Sequence, residues 1–230
     1  MSYLSTLNQS LDAKHLLLHP FYKHYWAEGK LNKAHLGFYA EQYFHHVDAF
    51  PRYVSATHAN CDDLSIRKIL LDNLIDEEHG DENHPELWLR FAESLGKMRD
   101  EVKTATLLPE TKALVNVFLS LTKSSYAEGL GALYAYERQV PEVAKSKIKG
   151  LKDFYDIQAE TAIKFFKVHI EADEWHSQET AELMKKLPSA EKVKASAAAN
   201  KAGGALWDFL CGVQRETVGG AIPYATVTLH

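Results

Sequence analysis

Histidine is distributed unevenly along this 230-residue chain. Of twelve histidines, nine fall between His15 and His84 and one is the last residue, so His169 and His176 stand apart in the second half. They bracket an acid in the spacing His169-x3-Asp173-x2-His176. At 100° per residue the three side chains fall within about a 60° arc of one helix face. Phe166 continues that face, which predicts that the arc points inward. Two imidazoles and a carboxylate on an apolar face are costly unless something pairs with them. A metal ion would satisfy all three, and two histidines with a carboxylate are a recognised iron-binding set. Three side chains that hydrogen-bond to one another or face water would show the same spacing, so the motif alone leaves both readings open.

Two further places carry acids where apolar residues are expected. Glu77 follows Leu70 and Leu74 on the core face of its helix, and His84 lies seven residues on. Gly80 and Pro85 make a continuous helix doubtful, but a tight turn would also bring the pair together. Taken alone, the stretch Asp76-Glu77-Glu78-His79-Gly80-Asp81-Glu82-Asn83-His84 reads first as a solvated acidic helix end. Glu137 extends the face of Leu130 and Leu133 in an otherwise apolar helix, where an ion pair with Arg138 or a nearby lysine is the competing explanation. Together these pieces give Glu77, His84, Glu137, His169, Asp173 and His176. Helical bundles build di-iron sites from Glu and His on facing helices by the same principle, although the spacings here differ. Three carboxylates offset three of the four charges of two divalent ions. Imidazole and carboxylate without thiolate suit iron or manganese better than copper, with zinc the main competitor.

The elements that must position these residues read as helices throughout, with no strong hairpin signal. The periodicity predicts a long helix over 32–58, bent at Pro51, then one opening at Asp62 or Asp63 and ending near His79-Gly80. Asn83-His84-Pro85 predicts a start running to about Gly96. Residues 97–108 read as connective, with room for a short helical turn. Further helices are expected over 109–123, over 126–139 with Pro141 as its stop, and over 142–149, 158–186 and 190–213. The expected architecture is all-α, a single-domain helical bundle over residues 1–215 followed by a tail, 216–230, that is extended or disordered.

Bulk properties narrow the function. Hydrophobic residues make up 46% and charged residues 25%, ordinary globular values. The net charge of −5 supplies no basic footprint, so nucleic acid is not an expected partner. No apolar run reaches the roughly 18 residues of a spanning helix, and the first residues lack a signal peptide's basic and apolar regions. Cys61 and Cys211 form no metal or redox spacing. A cytoplasmic protein without membrane contact is expected.

A set of motifs resembles the heme-oxygenase-like superfamily that contains TenA thiaminases and the pyrroloquinoline-quinone oxidase PqqC, and within it the CADD-like proteins, named for association with death domains. The resemblance runs from about Leu16 to Phe209. His19-Pro20-Phe21-Tyr22, Ala49-Phe50-Pro51-Arg52-Tyr53, Asn60-Cys61-Asp62-Asp63-Leu64 and Leu71-Asp72-Asn73-Leu74-Ile75-Asp76-Glu77-Glu78 carry it. So do Tyr136-Glu137-Arg138-Gln139-Val140-Pro141, Lys147-Ile148-Lys149-Gly150-Leu151 and His169-Ile170-Glu171-Ala172-Asp173. It implies a heme-oxygenase-like bundle with the six residues above as ligands of two transition-metal ions, iron or manganese with iron. Molecular oxygen and an electron donor would be co-substrates in forming p-aminobenzoate, a folate precursor. It also implies that the enzyme consumes its own side chains: the ring from Tyr22, the amine from Lys147, with Tyr136 in radical transfer. By residue physics alone, Tyr22 reads as a buried aromatic and Lys147 as a solvated helix lysine. The stretch from Tyr22 to Trp26 is one residue longer than in the chlamydial members, which leaves Tyr25 as a rival for the ring. Relatives favour homodimers, and death-domain partners enter by resemblance only. The alternatives are a PqqC- or TenA-like enzyme acting on an external small molecule, or a non-enzymatic interaction protein. The six ligands weigh against a cofactor-free oxidase, and the thiaminase cysteine position falls near Ser124-Ser125.

Overall fold

Side-chain caps decide where the helices that matter begin. The side chains of Asn32, Asp63 and Asn83 each accept a backbone N–H of the turn they open. In the computed structural model, which describes residues 2–219, the helices are α1 (Tyr3–Asp12), α2 (Lys33–Ala59), α3 (Leu64–Glu78), α4 (His84–Ser94), α5 (Arg99–Lys103) and α6 (Pro109–Ser124). They continue as α7 (Tyr126–Glu137), α8 (Val140–Tyr155), α9 (Glu160–Lys186) and α10 (Ser189–Thr217). A 3-10 turn covers Leu16–Leu18 and a π-helix Phe21–Trp26. Among the described residues there is no strand. The tail beyond 219 lies outside the described residues.

α7 is the centre of the bundle, packed against α2, α6, α8, α9 and α10. Nearly all of it is buried, including Leu130, Leu133, Tyr136 and Glu137. α2, with its apolar side on α3, α4, α6 and α7, runs unbroken through the buried Pro51. α9 crosses between α4, α7 and α8 and so can face both α3 and α7 with one inward stripe.

Three expectations change. Pro141 opens α8 instead of merely stopping α7, because a proline in the first helical turn gives up an N–H that has no partner there anyway. α8 continues to Tyr155, past the expected end at 149. Gly150 is kept inside it because a Cβ there would come within 2.7 Å of the Trp26 ring; the helix closes only at Asp156, whose φ of 53° is left-handed. The region before residue 32, for which periodicity predicted no element, is helical too. Its π-helix is a widened turn with i→i+5 bonding. The Ala27 N–H bonds to the Tyr22 carbonyl at 2.9 Å, and the Lys30 N–H to that of Tyr25 at 2.9 Å.

Candidate active site

The turn between α3 and α4 joins the first two predicted ligands. Gly80 takes a φ of +82°, available to glycine without a Cβ clash, and the Asn83 amide closes the turn on the Gly80 carbonyl. Glu82 ties it to Arg90 and to Lys164 of α9. The result is a hydrogen bond of 2.7 Å from His84 Nδ1 to Glu77 Oε2, both residues buried. His169 arrives from α9, its ring centroid 4.1 Å from that of His84. Glu77, His84 and His169 each bring a ligand atom within 4.8 Å of the others. His169 Nδ1 donates to the Phe165 carbonyl at 2.7 Å, which leaves Nε2 as the bare nitrogen.

Glu137, Asp173 and His176 are buried around the same chamber but do not join that tight group among the described residues. Glu137 is held at both oxygens, accepting from Asn73 Nδ2 at 2.9 Å and Thr180 Oγ1 at 3.1 Å. Arg138, its expected rival partner, reaches Asp12 instead, at 2.6 Å. His176 Nε2 donates to Asp76 at 3.1 Å, and its Nδ1 lies 3.9 Å from Asp173 Oδ1. That Nδ1 and Asp173 Oδ2 are buried without a protein partner.

The electrostatics say what such a chamber wants. Burial, with the Glu137 and Glu77 charges beside it, pushes the Asp173 carboxyl well above the usual carboxylate range. Burial also raises Glu137, against the pull of His176, Asn73 and Thr180. Burial, and then His84, drives His169 well below its ordinary value, so it is a neutral imidazole. Burial pulls His84 down, but the Glu77 charge and hydrogen bond outweigh it and the net shift is upward. Two buried acids that resist ionising, the neutral His169 imidazole with its bare Nε2, and two orphaned polar atoms all become favourable around a cation. The residues therefore fit a metal-binding centre.

His169 also lines a small cavity of about 20 Å³, together with Tyr22, Tyr136, Lys147, Tyr43 and apolar side chains. The Tyr22 hydroxyl is 2.8 Å from that of Tyr39, and Lys147 Nζ donates to the same Tyr39 oxygen at 2.6 Å. Tyr43 donates to Tyr136 at 2.9 Å. Lys147 is not a solvated lysine: it is buried in a cage of aromatic rings, its nitrogen 5.1 Å from the Tyr22 centroid and 5.0 Å from those of Tyr39 and Tyr43. Burial lowers its pKa to about 7. Tyr25 is only partly buried and does not line the cavity; its carbonyl accepts from the Tyr155 hydroxyl. Neither cysteine lines the cavity, and Ser124 and Ser125 are turned to the Glu128 carboxylate.

Sequence reasoning missed Tyr39, Tyr43, Asn73, Thr180 and Asp76. Spacing held a signal for most of them. Tyr39 and Tyr43 are four apart on the inward face of α2, Asn73 is four before Glu77, and Thr180 is four after His176.

A family of iron-containing redox enzymes matches this sequence over residues 38–207. The chain belongs to that family. The matched span includes all six candidate ligands, Tyr136 and Lys147. The protein is 43% identical over 229 residues to 4-aminobenzoate synthase of Nitrosomonas europaea, with 92% of each chain covered. It is 40% identical over 211 residues to 4-aminobenzoate synthase of Chlamydia muridarum, covering 91% of this chain and 89% of the relative. A domain from Shewanella denitrificans with a heme oxygenase-like fold superimposes with a TM-score of 0.77 at 21% identity, covering 92% of this chain and 90% of its own. The fold is thus the heme-oxygenase-like one, and a metal cofactor fits both the redox-enzyme family and the Glu77–His84–His169 cluster. None of the described helices is long and apolar enough to cross a membrane.

Proposed function

We propose that this iron-containing redox enzyme forms 4-aminobenzoate from its own side chains, with Tyr22 giving the ring, Lys147 the amine, and Tyr136 passing the oxidising equivalent. One observation carries the reading: Tyr22, Lys147 and Tyr136 line a single cavity whose wall is completed by the ligand candidate His169. The name shared by relatives at 40–43% identity supports it. Glu77, His84, Glu137, His169, Asp173 and His176 would hold two ions, iron or manganese with iron. Those ions would supply the one-electron chemistry that activates molecular oxygen, with electrons from an external donor.

The chain's own residues do the rest. The aromatic cage buries Lys147 and, with a pKa near 7, leaves much of its amine neutral and nucleophilic at neutral pH. Tyr39 accepts the amine N–H and shares its hydroxyl with Tyr22, so one phenol spans the two groups to be joined. Tyr43 offers Tyr136 a proton-sharing partner within the same buried interior. A cavity of about 20 Å³ holds one or two molecules of water's size, which suits a small gas better than an added aromatic substrate.

Protein grown on ring-labelled tyrosine, then given metal, reductant and oxygen, should release labelled 4-aminobenzoate in at most one equivalent per chain. Tyr22→Phe and Lys147→Arg should each abolish it, while Tyr25→Phe should not. Multiple turnovers on an added small molecule, with Tyr22→Phe unaffected, would refute the self-consuming reading.

A further inference from the structure

We propose that Asp76 is a positioning residue that sets which nitrogen His176 offers to the metal centre; this rests on the metal-binding reading above. The imidazole of His176 is buried and reaches Asp76 Oδ2 through Nε2, at 3.1 Å. A carboxylate accepts only, so Nε2 carries the proton and Nδ1 is the nitrogen left to offer a lone pair. That nitrogen has no protein partner, and it lies 3.9 Å from Asp173 Oδ1, whose sister oxygen is also unpartnered. A carboxylate behind a histidine is the arrangement that fixes ring orientation in many metal sites.

The other helix-α9 histidine shows why a side chain is needed here. His169 is oriented by the Phe165 carbonyl of its own helix. His176 is oriented from α3 instead, by the residue next to Glu77. Consecutive residues on a helix point about 100° apart, so α3 delivers Glu77 into the chamber and Asp76 to its rim. Asp76 is more than half exposed, at the edge of a surface depression of about 320 Å³ also lined by Glu82, His84 and Ala172. Asp76 is itself mostly exposed, so its loss should be felt at His176, whose Nε2 would lose its protein partner.

The test compares Asp76→Ala and Asp76→Asn with wild type in two measurements. In metal-free protein at pH 8, nitrogen–proton correlation spectra of labelled histidine report the ring tautomer. Wild type and Asp76→Asn, whose amide oxygen still accepts, should hold His176 as the Nε2–H form, whereas Asp76→Ala should mix both forms. In anaerobic titrations of iron(II) against a chelator, Asp76→Ala should weaken the second equivalent about 10–100-fold, with Asp76→Asn close to wild type. Wild-type tautomer and affinity in Asp76→Ala would overturn the inference. So would an Asp76→Asn that fell as far as Asp76→Ala, because the role would then be charge and not orientation. A wild type that binds no iron would instead remove the metal reading, and the tautomer spectra would still judge Asp76.

Discussion

The two halves of the candidate metal centre are built to different degrees of readiness. Glu77, His84 and His169 already bring their ligand atoms together, fixed by a short turn and by a helix's own carbonyl. Glu137, Asp173 and His176 are as deeply buried, yet each is either held by a neighbour or left unpartnered. Burial alone therefore does not make a ligand set; what the outer atoms are hydrogen-bonded to decides whether a side chain is free to turn. The first group is thus already gathered as a cation would need it, whereas in the second only Glu137 would have to give up protein hydrogen bonds, because His176 Nδ1 and Asp173 Oδ2 have none to lose.

The largest effect expected from this difference is in metal binding. His169→Ala should remove the tighter equivalent and all oxygen consumption, costing more than the ~10–100-fold of a change behind a ligand. His176→Ala should spare the first equivalent and lose the second, which metal analysis after anaerobic loading would read directly. Equal loss of both metals in the two variants would erase the distinction between the halves.

A second difference separates the acid-rich chamber from the Lys147 cage, where a cation is buried with no carboxylate beside it among its named contacts. The folded pKa of about 7 lies below the ordinary 10.5. Between those values the unfolded chain binds more protons, so this group makes stability rise with pH from about 7 to 10.5 and flatten below 7. Lys147→Met should remove that slope and stabilise the protein at pH 7, by no more than ~5 kcal/mol from 1.36 kcal/mol per unit. Denaturant unfolding at pH 7 and pH 9.5 would measure it; an unchanged slope would mean that the lysine finds a counter-charge.

The smallest effect concerns how Glu137 is held. Thr180→Val and Asn73→Ala each remove one donor from a buried carboxylate, which should cost about 1–3 kcal/mol of stability before metal is added. Bound metal should shrink that cost, since Glu137 would then have another partner. A cost that is the same with and without metal would show that Glu137 keeps its protein hydrogen bonds throughout.

Much of the site was legible along the chain. Helical spacing put His169, Asp173 and His176 on one inward arc, and an acid out of place on an apolar face singled out Glu77 and Glu137. Caps at Asp62 or Asp63 and at Asn83 marked where α3 and α4 begin, because capping is chemistry between neighbours in sequence; the structure takes Asp63. Lys147 was not legible: on its own helix it reads as a surface lysine, and only the packing of α8 against the π-helix and α2 wraps it in aromatic rings. The same holds for Tyr22 over Tyr25. Local pattern cannot say which tyrosine of a widened turn faces the cavity; the register of the i→i+5 bonds and the contact with Tyr39 decide it. Periodicity fixes the face a residue takes on its own helix, whereas what that face meets depends on where the chain returns, and that information belongs to the tertiary structure alone.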